Sequence, residues 1–306
     1  RLMAINNYGI SLTITTGVAP LLFIQLIYQQ YFYTATILIA PVWFALLILI
    51  TVGYYAAYLY KFRGAPARGQ GGGLWLSVAA LMFLLIAMIH VAVNLIHTQP
   101  EKWASISDGS WSVLSDPTYW PRLLHFVLAG IGFAALVAVW WAVRRAAAGI
   151  EVEHNTAIAR WAWRWVLWTT VLQVVDGFVL LLIFPKPVLR GLMTGGMTTM
   201  GPLTLAILVG IGLLMMLART SNPVEKPALV TGTLGAMTVA IAIMTVTRHQ
   251  VRALYLEPST AQYQFQVVAQ WGNFLLFVVL LVAGLATIAY MVKRVLSSPA
   301  SGVDAA

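Results

Sequence analysis

The sequence contains no cysteine among its 306 residues, which excludes several kinds of chemistry. Without thiols the chain forms no disulfide, no thiolate zinc site, no iron–sulfur cluster and no covalent heme c attachment. Acidic residues are also scarce, with 9 Asp and Glu against 18 Lys and Arg. Any catalytic or metal-binding group must therefore come from a few carboxylates, from histidine or from methionine.

Charged residues are rare as well, at 9% of the chain against 60% hydrophobic residues, whereas soluble proteins average about 25% charged residues. This composition excludes an ordinary soluble fold. The net charge is +9, but no basic face with interleaved aromatic side chains is present, so we do not expect nucleic acid as a partner. The cations separate long apolar runs instead, which is typical of a protein embedded in lipid.

The apolar runs predict the fold, because about 20 apolar residues span the hydrocarbon core as a helix. We predict an all-α fold in which residues 1–306 form a single transmembrane domain. It is a polytopic bundle of about eight helices, at 8–29, 34–60, 74–97, 121–143, 161–184, 199–218, 228–247 and 270–293.

The distribution of Lys and Arg predicts the orientation of this bundle. Twelve of these cations lie at one end of the predicted helices, whereas the opposite end holds six: Lys102, Arg122, Lys186, Arg190, Arg248 and Arg252. The positive-inside rule then places both termini in the cytoplasm and the loop 98–120 outside. We expect a multi-pass protein of the cytoplasmic (inner) membrane.

Asp176 is the clearest ionisable residue within an apolar run, where charges are costly and often functional. It lies about two-thirds along the predicted helix 161–184, three residues after Gln173 and on the same helix face. Two interpretations stay open. Asp176 either hydrogen-bonds to a neighbouring helix to hold the packing, or it works as a proton-relay or quinone-site carboxylate.

Four of the five histidines fall in the outer half of the predicted bundle: His90, His97, His125 and His249. His90 and His97 share a stripe with Asn94 on the third helix, and His125 lies in the first turns of the fourth. In a chain without thiolates, such imidazoles suit heme b iron, another metal or proton transfer. The alternative is that they are interfacial histidines bonded to loop carbonyls.

Methionine is the other common neutral heme ligand. Met193, Met197 and Met200 cluster where the sixth predicted helix enters from the outer side, and Met200 lies at a depth similar to that of His125. The alternative interpretation of this cluster is lipid-facing or core packing.

Segment 116–130, DPTYWPRLLHFVLAG, resembles the stretch that carries a heme-ligating His in subunit I of cytochrome bd-type quinol oxidases. Upstream, Asn94 and the helix exit 97–100 (HTQP) resemble that family's Asn and its Gln-Asn-Pro exit. Segment 8–25 resembles its second helix, and 248–252 resembles its Arg-containing exit from the penultimate helix. Taken in order, the eight predicted helices resemble helices two to nine of that subunit.

This resemblance implies a membrane subunit of a respiratory electron-transfer complex with one heme b near the outer face. His125 would be one axial ligand, with Met200, His97 or His90 opposite. Asp176 would accept or relay a proton during quinol oxidation, so a quinone is a second expected cofactor. The implied partners are other membrane subunits and a periplasmic c-type cytochrome that exchanges electrons with the chain.

The sequence also departs from the family. The first helix, which carries the His ligand of the oxygen-reducing heme d, has no counterpart, and segment 41–51 lacks the paired Glu residues. Ala242 stands where a Glu would ligate the high-spin heme, and the short segment 185–198 replaces a long quinol loop. These differences argue against oxygen reduction by this chain alone. Because the sequence begins with Arg1, a further helix upstream is one expectation.

Two alternative hypotheses follow from the departures. The chain could be a cofactor-free structural subunit that docks a partner within a respiratory complex. It could instead be a proton-coupled transporter built on Asp176, with Pro20 and Pro41 interrupting its first two helices.

Overall fold

The computed structural model describes residues 17–18, 20–63, 72–107, 111–260 and 270–297. Of these residues 92% are helical and none is in a strand. The prediction of an all-α polytopic membrane bundle is therefore confirmed.

Eleven helices follow one another along the described chain. They are α1 (20–27), α2 (Gln29–Leu38), α3 (Ala40–Arg63), α4 (Gly72–Thr98), α5 (Trp103–Ser107), α6 (Tyr119–Ala147), α7 (Val152–Ile183), α8 (Lys186–Thr194), α9 (Met197–Ala218), α10 (Pro227–Thr260) and α11 (Trp271–Ser297).

Seven of the described helices are long and apolar enough to cross a membrane: α3, α4, α6, α7, α9, α10 and α11. Each corresponds to one of the predicted spans. The remaining span, predicted at 8–29, lies partly outside the described residues, and 20–27 within it is helical. A total of eight spans stays a prediction, as does the orientation with cytoplasmic termini.

Helix boundaries differ from the predicted ones for two reasons. The span predicted from residue 34 begins at Ala40, because Pro41 has no N–H to bond the Ile37 carbonyl and tolerates only the first turn of a helix. Other helices are longer than predicted, since hydrogen bonding continues beyond the apolar stretch. Helix α10 has 34 residues, or about 50 Å of helix, which exceeds the roughly 30 Å of the hydrocarbon core.

The chain forms two compact units, residues 1–260 and 261–306. Helix α11 belongs to the second unit and the other described helices belong to the first. The single domain expected over residues 1–306 stays a prediction.

Three helix hairpins build the first unit: α3 with α4, α6 with α7, and α9 with α10. Helix α7 also packs on α9 and α10 packs on α6, so these four helices form a closed ring of contacts. Helix α4 contacts this ring through α6, and α2 and α3 also pack against α4. The apolar core lies between these helices in separate clusters, one around α4 and one within the four-helix ring.

The α6–α7 hairpin is the most extensive helix pair and has a tight turn. Gly149 and Glu151 adopt positive φ angles of 73° and 43°, and the Asn155 side-chain amide donates to the Ile150 carbonyl at 2.7 Å. On the facing sides of the two helices, residues at equal sequence distance from this turn meet across the hairpin. Gly132 thus meets Thr169, whose hydroxyl oxygen lies only 2.8 Å from the position that a Cβ would take at Gly132.

We predict that Gly132→Ala destabilises the protein, because the added methyl collides with the Thr169 hydroxyl, which already donates to the Trp165 carbonyl at 2.7 Å. Overpacking of this kind costs about 1–3 kcal/mol. Gly130→Ala is the matched control, since nothing lies within 4 Å of its Cβ position. Thermal unfolding in detergent checks the prediction, and equal melting temperatures for the two variants would contradict this register of the hairpin.

Candidate functional site

His125 and Asp176 form a hydrogen-bonded pair within the α6–α7 hairpin. The Nδ1 atom of His125 lies 3.0 Å from Oδ2 of Asp176, and the two side chains are 23% and 7% exposed. Both residues stand at equal sequence distance from the Ile150–Glu151 turn, so the hairpin register brings them together. The pair joins the two residues that sequence analysis selected separately, one as a heme ligand and one as a proton-relay carboxylate.

Neighbouring residues of α7 complete the surroundings of His125. The Gln173 side-chain amide donates to the His125 backbone carbonyl at 3.4 Å. A Cβ at Gly177 would lie 3.6 Å from Cε1 of the His125 ring, so the glycine leaves the imidazole edge uncrowded. Gln173 and Asp176 therefore both reach α6 from one face of α7, as their spacing predicted.

The geometry of the pair determines what its atoms can do. An ionised carboxylate only accepts hydrogen bonds, so Nδ1 of His125 carries the hydrogen when Asp176 is charged. In the neutral imidazole Nε2 is then the acceptor, with a lone pair for a proton or a metal ion. The pair can thus orient a metal-binding imidazole or take up one proton.

His97 lies at the end of α4 in an aromatic environment. It is 2% exposed, and its ring centroid lies 5.4 Å from that of Tyr28 and 6.3 Å from that of Tyr31. Its Nε2 atom is buried and has no hydrogen-bond partner among the described residues. A buried polar atom of this kind calls for an explanation such as a water, an ion or a ligand.

His90 differs from His97, although both lie on α4. Its Nδ1 atom is 2.9 Å from the Ile86 carbonyl of the same helix, and the residue is exposed beside Trp43. Met200 lies in the first turn of α9 and is 45% exposed. Within the described residues, no hydrogen bond, ion pair or ring contact joins His125 to either of these histidines.

Fewer than three metal-binding side chains gather at any place in the part of the chain that the structure describes. A heme site does not require such a cluster, because the protein supplies only the axial ligands of the iron. The resemblance to cytochrome bd stays a prediction, because no family model, curated protein or solved structure matches this chain.

Asp116 organises a second polar network, which the sequence analysis did not identify. Its carboxylate accepts from Lys102 Nζ at 2.7 Å, from the Gln99 amide at 3.1 Å, and from both the backbone N–H and the hydroxyl of Thr118. The network continues because Arg122 donates to the Thr118 hydroxyl at 3.2 Å. It fastens the end of α4 to the beginning of α6, and so holds His97 and His125 in their places.

The charge of Asp116 is stabilised by these donors. Burial by itself raises the pKa of this carboxyl, but the hydrogen bonds from Lys102, Thr118 and Gln99 outweigh burial and lower the pKa from 3.8 to about 2. Because the folded-state pKa is the lower one, the ionised carboxylate stabilises the fold above pH 3.8. That contribution is lost as the pH falls towards about 2.

We predict that Asp116→Asn lowers the stability at neutral pH by about 2 kcal/mol, since charge-assisted hydrogen bonds become neutral ones. The difference from the wild type should shrink as the pH falls from 3.8 towards about 2, where the wild-type carboxyl is protonated too. Melting temperatures of both proteins across this range check the prediction. Exposed Glu101→Gln is the control, and a wild-type advantage that persists undiminished at the acid end would refute the assignment.

Proposed function

We propose that this chain is a membrane subunit of a respiratory electron-transfer complex that holds one heme b through His125. The observation that carries the proposal is the contact between His125 Nδ1 and Asp176 Oδ2 at 3.0 Å. In the proposed setting, the cytoplasmic (inner) membrane, the site lies in its outer half, and electrons pass between it and quinol or a periplasmic c-type cytochrome.

The chemistry of the donor set fits heme. Histidines that ligate metals donate their other ring N–H to a carboxylate or carbonyl, which fixes the ring and raises its basicity. Asp176 meets this requirement for His125 and leaves Nε2 for the iron. The side chain of His125 is 23% exposed, so the hairpin does not enclose the ring completely and leaves access to it for a heme. Heme would supply one-electron redox chemistry, and the protein would tune it through the ligand and its hydrogen bond.

Three residues are candidates for the opposite axial position: Met200, His97 and His90. His97 has the strongest chemical argument, because no residue that the structure describes bonds its buried Nε2. His90 has the weakest, because it is exposed and one of its ring nitrogens already contacts the Ile86 carbonyl. A thioether sulfur, as in Met200, would raise the heme potential relative to a second imidazole.

Asp176 would also serve quinol oxidation. A quinol would give up its two electrons one at a time through the heme to the electron acceptor, and it would release two protons. A buried carboxylate paired with an imidazole can accept one proton, and the other would pass to the outer aqueous phase. The His125–Asp176 hydrogen bond would then couple the proton position to the electronic state of the ligand. Asp176 is accordingly a positioning residue for His125 and a proton acceptor for the quinol.

Exposed aromatic side chains on α7 support the assembly with other membrane subunits. Trp161, Trp165 and Trp168 are 64%, 45% and 62% exposed. Tryptophan is enriched at membrane interfaces and at protein interfaces, so these residues would contact lipid or a neighbouring subunit.

His90 favours one alternative, a cofactor-free subunit that docks a partner within the complex. A histidine stripe that serves a cofactor should face an interior site, yet His90 is exposed and bonded to its own helix. Heme content of the purified protein distinguishes the two functions.

We predict that the purified chain gives b-type bands in a reduced-minus-oxidised spectrum and that His125→Ala abolishes them. Asp176→Asn should retain the fold but bind heme about 10–100-fold more weakly, as carboxylates bonded to ligating histidines do.

His154→Ala is the matched control, since this histidine is exposed near the beginning of α7. It should leave the bands unchanged. A wild-type protein that carries no heme after expression with excess heme would rule out the proposal and leave the docking subunit.

A further inference from the structure

Three arginines surround one small cavity between α4, α6 and α10. Arg122 comes from the first turns of α6, and Arg248 and Arg252 come from successive turns of α10. These three residues are named the arginine cluster. Asn94 and Tyr255 also line the cavity, which has room for about one water molecule.

The arginine cluster has no carboxylate partner among the described residues. The ion pairs there are Lys102–Asp116, His125–Asp176 and Arg145–Glu151, none of which includes a member of the cluster. Three guanidinium groups that line one cavity repel each other, and the repulsion grows where water is scarce.

The contacts that the arginines do make are with neutral groups. Arg122 donates to the Tyr255 hydroxyl at 3.4 Å. The guanidinium carbons of Arg248 and Arg252 each lie 5.1 Å from an aromatic ring centroid, Phe126 and Tyr28 respectively. Aromatic faces attract cations but supply no negative charge, and the described part of the chain offers no acceptor to the buried Nε of Arg252. The three arginines at this cavity therefore carry uncompensated positive charge, and at least one of their N–H groups is free to donate a hydrogen bond.

The size and position of the cavity indicate which kind of anion can bind there. A space for one water molecule admits a single oxygen atom, with the rest of the ligand at the mouth. Arg248 is the most exposed of the three arginines, so in the proposed complex we place it at this mouth. On α10 the cavity is lined by residues that follow the apolar stretch 228–247, where we expect the lipid headgroups.

We propose that the arginine cluster binds a phosphate oxyanion, supplied by the headgroup of an anionic lipid or by free phosphate. Guanidinium forks match phosphate oxygens in geometry and charge, and basic pockets between transmembrane helices bind lipid headgroups. One phosphate oxygen enters the cavity, where Arg252 Nε and the Asn94 amide can donate to it. Arg248 contacts the phosphate at the mouth.

The test titrates the purified full chain in detergent and follows its melting temperature. One arm adds dioleoylphosphatidylglycerol, a second adds dioleoylglycerol, which lacks the phosphate, and a third adds inorganic phosphate. We expect phosphatidylglycerol to raise the melting temperature and dioleoylglycerol to leave it unchanged. Stabilisation by inorganic phosphate at a similar concentration identifies the free anion as the ligand, and stabilisation by the lipid alone identifies the headgroup.

Arg252→Gln and Arg248→Gln should each raise the half-saturating concentration at least about tenfold, which corresponds to roughly 1.4 kcal/mol of binding free energy. Arg164→Gln removes the same charge from an exposed position on α7 and should bind as the wild type does. Arg248→Gln keeps the test decisive if Arg252→Gln fails to fold. Equal weakening by Arg164→Gln, or no stabilisation by either phosphate source, would overturn the proposal.

Discussion

The register of the α6–α7 hairpin is the constraint on which the rest of the site depends. The turn at Gly149–Glu151 sets which residues of the two helices meet, and close contact at Gly132 and Thr169 allows the helices little room to slide. That one register brings His125 against Asp176. A register shifted by one residue on either helix would turn that helix's member of the pair about 100° away from the other.

Ionisable groups at this end of the bundle fall into two classes. Asp116 and Asp176 are buried but bonded, the first to Lys102, Gln99 and Thr118 and the second to His125. Removing a partner from such a group leaves a desolvated charge, which costs several kcal/mol. The arginine cluster differs because its charges have no carboxylate partner among the described residues. This difference is the reason for proposing a bound phosphate as its counter-charge.

Sequence periodicity and composition were enough to predict the helices, since a membrane span needs only length and apolar character. The break before Ala40 could have been predicted from Pro41, but the extension of α10 to Thr260 could not be predicted from hydropathy, because its last turns are polar. The His125–Asp176 pair could in principle have been predicted, since both residues are equally distant from the Ile150–Glu151 turn. The arginine cluster could not be predicted, because the sequence does not show that α4, α6 and α10 meet.

The most direct measurement of the central claim is the tautomer of His125 by ¹⁵N solid-state NMR on histidine-labelled protein in bilayers. His125→Gln assigns the signal by its loss. Before heme is added, we expect a protonated Nδ1, hydrogen-bonded to Asp176, and a bare Nε2 in the neutral ring. Asp176→Asn should shift the Nδ1 resonance. A neutral His125 with the proton on Nε2, unaffected by Asp176→Asn, would show that Asp176 does not orient the imidazole for a metal ion.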